Sequence, residues 1–243
     1  MLYKSPIEKQ LIDQGKFKIL VHDPGYAIPH HGDHGYGPLA TIGESYMAPD
    51  TWIRMHAHHN DEIVSWVPDG VMRHYDSAGR KLVTDQDHIM IMNAGREFWH
   101  EEKTLAEDPP LRMLQIFVRP HETDLPPVIQ HGAMEPWQLN QWRKVFGADG
   151  SGSAFYVRND VTMYDLRLEA HHTATFPVQK GYDIYFMTYT GEVSVYGKTF
   201  KQSETGLLVD EASAFLTAAV DSVVVAFIIA PRAKITKAGT IGR

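Results

Sequence analysis

Along this chain, apolar residues alternate with polar ones or gather into runs of about four to eight, each run closed by a turn residue. Glu62–Pro68, Ile89–Met92, Leu111–Arg119, Thr162–Leu168, Ile184–Thr190, Glu192–Tyr196, Gly206–Val209 and Val223–Ala230 follow this pattern. They are rich in β-branched and aromatic residues, and their recurrence predicts an all-β sandwich or barrel. Helical patterning is thin, with candidates only at Ile7–Asp13 and Trp137–Phe146. Between Arg119 and Gly152 the texture changes, as Pro120, Pro126, Pro127 and Pro136 lead to a short aromatic piece ending in a Gly- and Ser-rich run. That stretch reads as a connection between two β-units. The two sides echo each other: Val64–Met72 resembles Phe186–Val195, and Asp87–Ile91 resembles Thr205–Val209. A duplicated β-barrel accounts for the echo most simply.

Composition narrows the class. With 243 residues, 43% hydrophobic and 22% charged, the chain has the balance of a globular protein and the length for one large barrel or two ordinary domains. A formal charge of −7 with no basic patch predicts no direct binding to nucleic acid or to an anionic membrane surface. There is no cysteine, which excludes a disulfide framework, a thiolate metal ligand and a Cys nucleophile. The first residues lack the apolar stretch of a signal peptide, and the longest apolar run, Val223–Ala230, is one buried strand in length. A soluble cytoplasmic protein is the default expectation. No phosphate loop, Gly-x-Ser-x-Gly or dinucleotide fingerprint is present.

Two histidine-bearing pairs stand out against this background. Side chains at i and i+2 of a strand point the same way, so His56 and His58 aim together from one strand and His100 and Glu102 from another. Neutral imidazoles with one carboxylate suit a divalent transition metal, Fe, Mn, Ni, Cu or Zn, and leave room for an anionic ligand. The fourth donor is ambiguous at this point. Glu62 lies four residues beyond His58 and would share its face in a continuous strand, so Glu62 or Glu102 could close the shell while the other serves as a hydrogen-bonding neighbour or general base.

Other polar residues read more plainly. His30, His31, Asp33 and His34 form a turn-rich loop near the pocket entrance, and His171 and His172 a solvated turn. His74 and Asp76 are expected to stabilise the turn at Asp76–Gly79, and Arg96 to act as a structural hydrogen-bond fork. Of Phe98 and Trp99, one should face the core and only the other could line a cavity.

His56, His58 and Glu62, then Gly70, His74, Asp76, Ser77 and Gly79, then Asp87, Ala94, Gly95, Arg96, His100 and Glu102, then Leu114, Gln115 and Val118, resemble in order and spacing the signature of the pirin family within the cupins. The match spans about residues 50 to 120. The resemblance implies two tandem cupin (jelly-roll) barrels, a bicupin, with a metal-binding domain over residues 1–133 and a second cupin domain without metal ligands over 134–243. In that second unit Pro177–Tyr182 occupies the place where a His-x-His pair would sit. The resemblance also implies His56, His58, His100 and Glu102 as the metal ligands, with iron the leading metal, and Glu102, then Glu62, as the catalytic carboxylate. Next to the ligands the chain leaves the family pattern, with Ala57 between the histidines, His59-Asn60-Asp61 after them, and Glu97-Phe98-Trp99 before His100.

The activity implied is that of a metal-dependent dioxygenase resembling quercetin dioxygenases, with dioxygen and a flavonoid-like or other enolic small molecule as substrates. A non-catalytic, metal- or redox-responsive regulatory protein is the alternative, and a metal-dependent isomerase or decarboxylase a further one. Fold alone does not choose among them.

Overall fold

The computed structural model describes all 243 residues, and nearly every regular element in it is a strand. In chain order these are β1 (Leu2–Lys4), β2 (Leu11–Asp13), β3 (Phe17–His22), β4 (Leu39–Met47), β5 (Trp52–His58), β6 (Glu62–Asp69), β7 (Met72–Asp76) and β8 (Lys81–Thr84). They continue with β9 (His88–Asn93), β10 (Phe98–Lys103), β11 (Leu111–Val118), β12 (Val128–Ala133), β13 (Arg143–Ala148), β14 (Tyr156–Val157) and β15 (Val161–Leu168). The last are β16 (Thr173–Thr175), β17 (Asp183–Thr190), β18 (Glu192–Val195), β19 (Lys198–Lys201), β20 (Thr205–Leu208), β21 (Phe215–Ala218) and β22 (Ser222–Ile229).

Neither helical candidate forms. Leu11–Asp13 pairs with β3, and Arg143–Phe146 pairs with β15, because an edge position in a sheet was open to each. Trp137, ahead of β13, lies in a loop with its ring against the guanidinium groups of Arg143 and Arg167, at 3.8 and 4.2 Å. The one helical piece is a 3-10 turn at Pro24–Ala27. No helix is long and apolar enough to cross a membrane.

Four sheets make two lobes of the same plan. In the first lobe a seven-stranded sheet, β12-β9-β6-β11-β4-β3-β2, faces a four-stranded one, β5-β10-β7-β8. In the second the orders are β1-β20-β17-β22-β15-β13-β14 and β16-β21-β18-β19. The run β9-β6-β11-β4-β3 corresponds strand for strand to β20-β17-β22-β15-β13, so the sequence echo of β6–β7 with β17–β18 and of β9 with β20 is a true duplication. Two elements break the separation. β1 pairs with β20 in the second lobe, and residues 234–243, after the last strand, run back onto the first. The strand equivalent to β5 is β16, so Thr173–Thr175 rather than Pro177–Tyr182 holds the place of the histidine pair in the second lobe.

The two seven-stranded sheets pack against each other, and this decides which residues go where. Along β6, Ile63 and Val67 enter the first barrel, while Val64 and Trp66 enter the core between the lobes. Along β22, Val224, Ala226 and Ile228 fill the second barrel, while Val225, Phe227 and Ile229 face the first lobe. A strand buried on both faces reads as a continuous apolar run, and its period of two distributes the residues between two cores. Trp66 and Arg143 enter this interface with their polar groups paired. Trp66 Nε1 donates to Asp165 Oδ2 at 3.0 Å, and Arg143 binds both oxygens of the same carboxylate at 3.0 and 2.6 Å.

Gly95, in the tight turn between β9 and β10, has φ +54°, and a Cβ there would collide with Leu125 O, so only glycine fits. The turn sets the entry of β10, and with it the position of His100.

Glu62 sits at the other structural joint. Its carboxylate takes Nε, Nη2 and the backbone N–H of Arg158 at 2.9, 2.7 and 2.9 Å, together with Asn93 Nδ2. Both charged partners are buried and come from different lobes. Breaking one side leaves the other charge without a partner in a dry interface. The substitution Arg158→Ala is therefore expected to lower stability by about 3–5 kcal/mol, read by chemical denaturation, whereas an exposed arginine such as Arg96 should change it little.

Candidate metal centre

β5 and β10 are neighbours in the four-stranded sheet, with His56 directly opposite His100. Glu102 faces Ile53, so Arg54 and Met55 together oppose the single residue Glu101, which is a β-bulge. Alternation does the rest. Glu101 turns outward to accept from Trp52 Nε1 at 3.0 Å, while His100 and Glu102 turn into the barrel. The rings of His56, His58 and His100 converge, with centroids 4.4–5.2 Å apart, and one nitrogen of each lies within 4.8 Å of the others.

The remaining contacts of these rings say which atoms are free. His56 Nδ1 donates to Arg54 O at 2.8 Å, which leaves Nε2 as a lone-pair donor. His100 Nδ1 meets His74 Nδ1 at 3.3 Å, and His74 Nε2 faces Asp76 Oδ2 at 3.6 Å. With the proton of His74 on the nitrogen facing the carboxylate, His74 Nδ1 accepts and His100 Nδ1 donates. His100 Nε2 is then a bare lone pair, fully buried and without a partner. A buried acceptor of this kind costs stability unless something satisfies it. A cation shared by three convergent imidazoles does so, and the donor set fits one divalent transition metal.

Burial, with the neighbouring imidazoles adding to it, holds His100 far below the usual histidine range; burial also lowers His56, and takes His74 down to about 4. These three rings are thus kept neutral, as ligation requires. Glu102 is the opposite case. Burial pushes its carboxyl up to about 7, against the hydrogen bond from Gln115 Nε2 to Oε1 at 3.0 Å. Its oxygens lie outside the three-histidine cluster, yet Glu102 lines the same cavity as His56 and His58.

That cavity has a volume of about 270 Å³, with Ile19, Ile53 and Phe117 among its apolar walls and Glu102 and Gln115 among its polar ones. It exists because the inward face of β4 carries Thr41, Gly43 and Ser45, side chains too small to fill the barrel. In the second lobe the corresponding space is occupied by Phe176, Phe186, Phe200 and Leu216.

Several expected site residues are placed elsewhere. Glu62 is not brought to the cavity: β5 ends at His58, Asn60 has φ +50°, and the face count from His58 does not survive that turn. Its pairing with Arg158 leaves it no part in proton transfer at the metal site. Asp76 does hold its turn, accepting from Ala78 N and Arg80 N, but His74 points inward to His100 instead. Arg96 is exposed, and only its backbone is engaged, so it is no fork. Phe98 packs beside the core near His74, while Trp99 is exposed and does not line the metal cavity. Asp33 in the His30–His34 loop is bound by Arg119 and Lys237, and His171 lies in a turn. His74, Asp61, Gln115 and the small residues of β4 were missed. Of these, the spacing of Thr41, Gly43 and Ser45 at every second position was the available signal for a cavity.

Two jelly-roll barrels, one with convergent imidazoles at the end of an apolar cavity, define a bicupin with a candidate metal centre. The sequence comparisons agree: the Pirin family matches residues 28–118, and the family described as Quercetinase C-terminal cupin domain matches residues 145–228. This chain belongs to the pirin family of cupins. A pirin-like protein of Caulobacter vibrioides is 25% identical over 91% of this chain and 97% of its own length. A quercetin 2,3-dioxygenase of Escherichia coli K12 is 23% identical over 81% of this chain and 84% of its own. The crystal structure of bacterial pirin YhhW from E. coli in complex with nickel(II) superposes with a TM-score of 0.81 at 20% identity, covering 94% of this chain and 99% of that one.

Two outcomes follow for metal binding. His74→Ala, which removes the group that orients His100, should weaken nickel affinity by about 10–100-fold in calorimetric titration. Burial raises the Glu102 carboxyl to about 7, so at pH 6 it is mostly protonated and must lose its proton to serve as a ligand, whereas burial holds His100 far below that pH. Titration at pH 6 in buffers of different ionisation enthalpy should show fewer protons released by Glu102→Gln than by the wild type, and an affinity that rises more steeply from pH 6 to 8 in the wild type than in the variant.

Proposed function

We propose that this chain is a metal-dependent dioxygenase acting on an aromatic or enolic small molecule, with His56, His58, His100 and Glu102 holding the metal. The observation that supports it is a mainly apolar cavity lined by His56, His58 and Glu102, with the His100 ring converging on the two histidines. Among the divalent metals the donor set suits, iron leads on the resemblance to the pirin family alone, since affinity by itself does not select it. Such an ion supplies Lewis acidity that lowers the pKa of an enol hydroxyl, and a route for electrons to dioxygen.

The residues of the chain do the remaining work. Ile19, Ile53 and Phe117 exclude water and accept the flat body of an aromatic ligand. Gln115 Nε2, donating to Glu102 Oε1, fixes the plane of the carboxyl group. Glu102, lining the same cavity, is placed to take the hydroxyl proton and to return it after reaction. The curated relatives named as quercetin 2,3-dioxygenases support the same reading. A cavity that reaches the surface through the partly exposed Ile241 favours an enzyme over a sealed, metal-responsive regulator.

The test is oxygen uptake by protein reconstituted with Fe(II), Mn, Ni or Cu against a panel of flavonols and smaller enols. Consumption of oxygen with at least one of them, lost in His100→Ala, is the expected result. Fully loaded protein that consumes no oxygen across the panel would count against the enzyme, and turnover under anaerobic conditions would point to an isomerase or decarboxylase.

A further inference from the structure

Every residue lining the metal cavity lies between Ile12 and Phe117 except one, Ile241. It arrives on the segment that follows β22, which leaves the second lobe and is fastened along the first. Asn159 Nδ2 donates to Lys234 O at 2.9 Å, and Thr236 N donates to Pro120 O at 3.0 Å. Thr240 N then donates to His59 O at 3.0 Å, and His59 N returns a bond to Thr240 Oγ1 at 2.8 Å.

The decisive anchor is Asp61, a fully buried carboxylate three residues after His58. Its Oδ2 accepts the N–H of Ile241 at 3.1 Å, and its Oδ1 the N–H of Gly242 at 2.9 Å. Bonds to an ionised acceptor are about twice as strong as neutral ones, and here two consecutive donors share one carboxylate. Close approach requires glycine at 239 and leaves little room at 242. A Cβ on Gly239 would collide with Asp61 Oδ1, and one on Gly242 would stand 3.0 Å from it. The fully buried Arg119 holds the next carbonyl, with Nη2 donating to Arg243 O at 2.9 Å.

This fastening fixes where the side chain of Ile241 goes. It is 39% exposed, which puts it at the mouth of the cavity, in the same wall system as Ile12, Ile19, Ile53 and Phe117, while His58 and Glu102 are buried. Asp61 Oδ2 also stands 3.4 Å from His58 Nδ1, so the anchor of this segment and a metal-ligand ring share one carboxylate.

We propose that Ile241, carried across from the second lobe and pinned by Asp61, is a specificity-determining residue of the metal cavity, setting the bulk of the ligand that passes to the metal. The inference rests on the reading of this cavity as the ligand site of the metal centre, and not on the dioxygenase chemistry. It gives the second lobe a part in selecting ligands although the candidate metal ligands all lie in the first.

The test uses cobalt(II)-loaded full-length protein, with visible absorption recording the binding of two probes, azide as the small one and 3-hydroxyflavone as the bulky one. Ile241→Trp should weaken 3-hydroxyflavone relative to azide by about tenfold or more, and Ile241→Ala should shift the ratio the other way, since added or deleted bulk in an apolar pocket changes discrimination on that scale. Where the wild type takes azide and excludes the flavonol, Ile241→Ala is expected to admit it. An azide-to-flavonol ratio unchanged within about twofold across the three proteins, exclusion of the flavonol by all of them, or no response to either probe would each overturn the proposal. Cobalt stoichiometry and circular dichroism of each variant separate loss of selectivity from loss of fold. Because no oxygen chemistry is read, protein that discriminates by Ile241 yet consumes no oxygen would sustain this inference and defeat only the enzymatic reading.

Discussion

The structure depends on one constraint: the central strands of the two seven-stranded sheets are buried on both faces, and the two-residue period of each must serve two cores at once. Residues of one parity, such as Val64, Trp66, Val225 and Phe227, lock the lobes together. Residues of the other parity fill the barrels, with Phe186, Ala226 and Ile228 in the second and the methionines Met90, Met92 and Met113 in the first. Since the interlobe core fixes one parity, a change of occupant on the other can open a barrel without unfolding it. In the first lobe that change is Thr41, Gly43 and Ser45 on β4, and the space they leave ends at the histidines.

Desolvation then turns geometry into chemistry. Burial that would merely be costly for an unpaired polar group keeps His56 and His100 neutral and makes Glu102 reluctant to ionise. The same low-polarity setting strengthens the Asp76–His74–His100 series, and with the His74 proton facing the carboxylate it bares His100 Nε2. Glu62, by contrast, is fully compensated by Arg158 and Asn93, and such a carboxylate holds structure together without being free to react.

The fold was legible where a local rule applied without interruption. Strand runs, the internal duplication and the convergence of His56 and His58 all follow from period-two patterning within single strands. It failed where geometry depended on a break or on distant chain. Glu62 was counted along a strand that stops at His58, and His74 was assigned to a turn that Asp76 holds alone. Ile7–Asp13 and Trp137–Phe146 lack any feature that forbids a helix, yet Leu11–Asp13 and Arg143–Phe146 found sheet edges instead. Ile241 lies far from every other lining residue in sequence, and only the route of residues 234–243 brings it to the cavity.

Family membership, a duplicated jelly roll and three convergent imidazoles make one claim central, that a divalent ion is held by His56, His58 and His100 with Glu102 completing the set. X-ray absorption at the nickel edge of protein loaded with one equivalent of nickel(II) examines this directly. The account predicts one ion per chain with three imidazole shells and a carboxylate oxygen that disappears in Glu102→Ala. Nickel bound without imidazole scattering, or bound equally well after His56, His58 and His100 are all replaced by alanine, would contradict it.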